Sequence, residues 1–144
     1  MFTRKLWLGV FLVLCSSALL CGQEQEKVIK HTKAKPTSSN SGQEMYMSYC
    51  AVCHGENGKG RGPAADALNT VPADLTVLAQ KNDGKFPAAH FGAMMRGDAK
   101  VGAHGTKEMP VWGPVFWQMG HGSTGQYQLR IANLTKFVES LQAK

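Results

Sequence analysis

Residues 50–54 read CAVCH. Two thiols stand three positions apart, and an imidazole follows the second at once. No other stretch of the chain narrows its folding options so far, because whatever uses these three side chains must lie against a single turn of backbone. Three chemistries call for such a set: a redox disulfide, half of a zinc site, and the attachment of a porphyrin through its two vinyl groups.

The chain is 144 residues long with a formal charge of +6, which suits a leader and one small domain. Residues 1–22 open with Arg4 and Lys5 and carry no charge from Leu6 to Gly22. A basic start before an apolar run reads as a secretory signal. The run is 17 residues long, which also reaches the lower edge of the roughly 17–25 needed to span a bilayer. Cys21 adds a third option, lipidation after cleavage, although Leu20 stands where bacterial lipoproteins carry a small residue. The expectation is therefore a signal peptide or a membrane or lipid anchor over 1–22. Residues 23–41 contain Lys27, Lys30, Lys33 and Lys35 and few large apolar side chains. Such a composition buries too little to offset the entropy of ordering, and it reads as a flexible linker. Residues 42–144 form the folded domain, with ten basic and eight acidic side chains. A net charge of +2 gives no argument for nucleic acid.

Within the domain, SGQE (41–44) has the form of a helix-starting capping box, and Met45, Tyr46 and Tyr49 follow at helical spacing into Cys50. GENGKGRGP (55–63) is a loop, AADAL a short helical turn, and residues 72–82 and 87–97 read as helices. Residues 98–122, with five glycines and two prolines, read mostly as loop. STGQ (123–126) is a second capping box, and Tyr127, Ile131, Leu134, Val138 and Leu141 recur at steps of 4, 3, 4 and 3. No stretch alternates with a period of two, so the fold class expected is all-α with long loops. About 100 residues with such loops bury little apolar surface unaided. A large flat apolar cofactor fills the deficit.

That requirement weighs on the three chemistries. Redox Cys-x-x-Cys motifs head a helix in a βαβ setting, whereas this one ends a helix and no strands are legible. A structural zinc site needs four ligands, and residues 42–144 contain two cysteines, with His90, His104 and His121 unpaired at short spacing. In covalent haem, both thiols add across the vinyl groups and the next residue, His54, lies under the iron; C-x-x-C-H is a strong signal for it. Attachment takes place outside the cytoplasm, which agrees with the leader. For the sixth ligand, Met109 in KEMPVWG precedes Pro110 in a loop before the last helix. Met94 and Met95 fall in a helix and read as core, Met45 and Met47 lie too near the cysteines, and His104 and Met119 remain as alternatives.

The Gly42, Tyr46, Cys50, Cys53, His54, Gly55 pattern, the MPVWG loop and the FVESL end resemble the class I c-type cytochromes, over about residues 42–142. The resemblance implies a small cytochrome c-like fold around one covalent haem c. In it the N- and C-terminal helices cross, with Gly42 and Tyr46 against Phe137 and Val138. It also implies that the carbonyl of Pro63 accepts a hydrogen bond from the second nitrogen of His54. Trp112 reads equally as a core residue or as one that packs on the haem and reaches a propionate. Arg96, Lys100 and Lys107 read as surface charges that can face propionates, and His90 has no assignment. Leu68, Leu75, Leu78, Phe86, Phe91, Met95, Pro110 and Phe116 are expected as pocket walls.

With both axial positions filled, the expected work is one-electron transfer between a donor and an acceptor protein, in a respiratory chain of the periplasm, soluble or tethered through the N-terminal segment. It is not enzymatic. A docked electron-relay subunit of a dehydrogenase or oxidase is the first alternative. A haem enzyme or gas sensor is the second, and it requires Met109 off the iron.

Overall fold

A computed structural model describes residues 32–98 and 109–143. The leader, the first part of the expected linker, and Lys100, His104 and Lys107 lie outside the described residues. Five α-helices are described: α1 (Gly42–Tyr49), α2 (Ala51–His54), α3 (Ala88–Arg96), α4 (Trp112–Met119) and α5 (Thr124–Ser140). Short 3-10 turns occupy Ala65–Ala67, Leu75–Val77 and Gln80–Asn82, and the described residues contain no strand. The all-α expectation holds. Among the described residues no helix is long and apolar enough to cross a membrane.

Both capping signals work as read. The Ser41 hydroxyl accepts from the Glu44 backbone N–H at 3.1 Å, and the Ser123 hydroxyl accepts from that of Gln126 at 3.4 Å. The Glu44 carboxylate, however, takes the N–H of Ser38 at 3.3 Å. The periodic face of α5 turns inward through Ile131, Leu134 and Val138, with Tyr127 and Leu141 half-buried at its ends.

α1 and α5 cross as the family resemblance implied. A Cβ on Gly42 would overlap the Asn133 carbonyl and come within 2.9 Å of Phe137 Cβ, so only glycine lets the two backbones approach this closely. One turn on, the Tyr46 ring lies 5.2 Å from that of Phe137, and its hydroxyl donates to the Gly55 carbonyl at 2.6 Å. Tyr46 is wholly buried. Burial, with a smaller contribution from nearby Cys50, pushes its phenol up to about 12, so it stays a neutral donor. It thereby ties the helix crossing to the end of the cysteine segment.

Three expectations need correction. Residues 72–82 do not form an α-helix. The Asp74 carboxylate captures both the N–H and the hydroxyl of Thr76, and Leu75 N–H goes to the Gly58 carbonyl, leaving two separate 3-10 turns. Residues 112–119 are helical rather than loop. Pro114 falls in the first turn of α4, where a backbone N–H has no partner within the helix.

The third correction concerns the linker. Residues 35–39 are tied to the domain. Arg130, 5 % exposed, donates to the Thr37 carbonyl at 2.8 Å and to its hydroxyl at 3.2 Å. Asn133 donates to the Ser39 carbonyl at 2.9 Å, and Tyr49 to that of Lys35 at 2.6 Å. Polar side chains of the domain, not apolar burial, hold this strap in place.

Candidate haem-binding site

α1 breaks at Cys50, where the chain re-forms as the single turn α2, and Gly55 ends that turn at φ 77°. The loop beyond folds back beneath α2. Gly60 N–H reaches the His54 carbonyl at 2.8 Å, Gly62 N–H that of Cys53 at 3.0 Å, and Ala64 N–H that of Val52 at 2.8 Å. A Cβ on Gly62 would overlap the carbonyls of Ala51 and Val52, and one on Gly60 would overlap that of Pro72. The glycines of 55–63 are thus what lets the loop close under the motif.

Cys50, Cys53 and His54 all line a cavity of about 300 Å³. His54 is 8 % exposed, and its Nδ1 bonds to the Ala73 carbonyl at 2.9 Å. As a carbonyl can only accept, Nδ1 carries the proton and Nε2 holds the lone pair. Burial lowers the imidazole pKa, partly offset by that carbonyl, so His54 is neutral at neutral pH and able to ligate a metal. Burial, and then the neighbouring Cys53, pushes Cys50 up to about 12; burial also raises Cys53. Neither cysteine is in a disulfide. Among the described residues no three His, Cys, Asp or Glu side chains form a group that could hold a metal ion, so these residues do not build a zinc cage.

Met109 and Trp112 line the same cavity. Trp112, 8 % exposed, packs its ring 5.0 Å from Tyr49 and 5.7 Å from Phe116. Leu68, Leu75, Leu78, Phe91, Met95 and Pro110 line it as expected. Phe86 and Phe116 do not: they stand one layer behind, against Phe91 and Trp112. Met119 also lies off the lining, with its sulfur 3.4 Å from the Tyr49 hydroxyl. Arg96 is exposed, bonded to Asp98 at 2.6 Å, and away from the cavity.

Pro63 is the site residue that the structure reassigns. It is exposed and outside the lining, and the His54 Nδ1 bond goes to Ala73. The loop turns under α2 before reaching Pro63, and it is the later Pro72–Ala73 stretch that returns to the imidazole. Sequence reasoning also missed Tyr49, Val71, His90 and Met94 on the cavity wall. Tyr49 was findable as the residue before Cys50, and Met94 as one helical turn from His90. Val71 lines the cavity yet is 82 % exposed, so the cavity opens to the surface there.

An all-helical domain in which two thiols and a neutral histidine face an apolar cavity defines a covalent-haem protein. The cytochrome c family profile matches residues 39–142, and the chain belongs to the cytochrome c family. No curated protein and no solved structure gives a significant match. The donor set fits the haem c of that family: thiols for the vinyl groups, an imidazole for the iron and apolar walls for the ring. The family's work is electron transfer with redox partner proteins.

Proposed function

We propose that the protein is a monohaem electron carrier with His54 and Met109 as the axial ligands of one covalent haem c. The observation that carries the reading is that Cys50, Cys53, His54 and Met109 all face one apolar cavity. When bound, the haem supplies a one-electron ferric–ferrous couple. Each thiol adds its sulfur and its hydrogen across one vinyl double bond, so attachment consumes no oxidant. The Ala73 carbonyl fixes the His54 tautomer and aims its Nε2 at the iron. The Met109 thioether, a soft ligand, takes the opposite position and favours a higher potential. With both positions taken, neither dioxygen nor substrate has a site, so the protein carries electrons and is not an enzyme. Trp112, Phe91 and Leu75 keep water from the ring, and the opening at Val71 leaves an edge for electron exchange.

The basic, then apolar start of the chain supports export to the periplasm, as a soluble or membrane-tethered member of a respiratory chain between a donor and an acceptor protein. The C-x-x-C-H motif occurs once, which supports one haem. The mass of the protein matured with a haem-attachment system tests this. One added haem, retained through acid-acetone extraction, is expected. Extractable haem, or none, overturns the reading. Cys50→Ala with Cys53→Ala should abolish covalent capture.

A further inference from the structure

A haem is an apolar ring with two carboxylates at one edge. The thiols, His54 and Met109 account for its vinyl groups and iron, but not for those carboxylates. Among the described residues, no lysine or arginine lines the cavity. Arg96 is bonded to Asp98. The Tyr49 hydroxyl is spent on the Lys35 carbonyl, and His54 Nδ1 on that of Ala73. One lining side chain outside the attachment and ligand set can carry positive charge: His90.

Its placement suits a carboxylate. Pro87, His90, Phe91, Met94 and Met95 all line the cavity, a helical stripe at steps of 3, 1, 3 and 1 along α3 and its cap. Phe91 and Met95 are buried, whereas His90 is exposed. It is the polar member of an otherwise apolar stripe and stands at the mouth of the cavity. It also falls in the first turn of α3, where the helix dipole favours negative charge.

We propose that His90 is the side chain that receives a haem carboxylate, and that it couples proton binding to the iron's reduction. The inference rests on the haem reading above. A proton on His90 adds positive charge near the ring and favours the ferrous state. The potential therefore falls as pH rises through the imidazole range and His90 loses that charge. The other titratable groups on the lining are Tyr49 and the attachment and ligand residues Cys50, Cys53 and His54. Of the elements packed on α3, α4 carries no charge; α5 carries Arg130, bound to Thr37, and the exposed Lys136 and Glu139.

The test is a potentiometric titration of the haem-loaded protein between roughly pH 5 and 8, comparing wild type, His90→Gln and His90→Lys. Glutamine keeps an N–H donor but does not titrate; lysine keeps the charge throughout. The expected result is a falling potential in wild type and a flat one in both variants, with the lysine variant near the acidic limb of wild type. The carboxylate band of isotope-labelled haem should shift in the redox-difference infrared spectrum of His90→Gln. A wild-type potential flat with pH, or an equal fall in His90→Gln, overturns the proposal. So does a His90→Gln protein that loses its axial-ligand spectrum, since His90 would then act through pocket structure. Haem mass is read first on every sample: absence of covalent haem in wild type fails the haem reading itself, whereas intact haem with an unmoved potential fails the His90 assignment alone.

Discussion

The wall of the cavity that carries Cys50, Cys53 and His54 is held by backbone, whereas the wall that carries α3 and α4 is held by side chains. On the first, backbone bonds run from Gly60 to His54, Gly62 to Cys53, Ala64 to Val52 and Leu75 to Gly58, at 2.7–3.0 Å. On the second, Phe91, Met95, Trp112 and Phe116 meet through ring and thioether packing. The difference follows from the work of each side. Two thioether bonds and an axial imidazole demand a fixed frame, and backbone bonds with glycines at closest approach supply one. An apolar face against a ring needs volume and dryness, which packed side chains supply with some latitude.

Substitutions on the two walls should therefore differ sharply. Gly60→Ala is expected to have the largest effect, because Gly60 combines φ 77° with a Cβ position that overlaps the Pro72 carbonyl. A loss above about 3 kcal/mol in denaturant unfolding is expected. Met95→Leu, on the opposite wall and 3 % exposed, conserves volume and should cost less than about 1.5 kcal/mol in the same measurement. Equal losses would erase the contrast.

Between these extremes lies the strap of residues 35–39, which resembles the first wall in being held by hydrogen bonds. A chain beginning at Ser41 loses both Arg130 bonds to Thr37 and the bonds from Tyr49 and Asn133. Hydrogen bonds to a charged donor contribute about 1.5–3 kcal/mol, so a melting temperature lower by about 10 °C is expected. An unchanged one would mean that the strap contributes nothing. The smallest effect belongs to Asp74, whose carboxyl is held below its usual range chiefly by the Thr76 hydroxyl. Its folded pKa is depressed, so its contribution is present above the ordinary carboxylate range and is lost as pH falls through the folded value. Asp74→Asn should flatten the acid limb of the stability profile slightly, as read by thermal melts from neutral to acidic pH.

Legibility in the sequence divides along the same line. Signals local in the chain were readable: the capping serines 41 and 123, the period of α5, the C-x-x-C-H run, and Met109 and Trp112 before the last helix. What depended on a distant partner was not. The Ala73 carbonyl reaches His54 across nineteen positions, so Pro63, nearer in the chain, took its place in the reading. The strap read as a linker because composition registers apolar burial, while Arg130 and Asn133 lie about ninety positions away. α4 was hidden by Gly113 and Pro114, which signal a loop unless their place in a first turn is known.

The central claim is that the side-chain wall supplies the sixth ligand through Met109, and the optical spectrum of Met109→Ala tests it most directly. Wild-type ferric protein should show the weak red-end absorption of sulfur–iron coordination and bind no carbon monoxide when reduced. In Met109→Ala that band should vanish, carbon monoxide should bind and the potential should fall, while covalent haem stays in place. A variant that keeps the wild-type spectrum and potential would contradict the account.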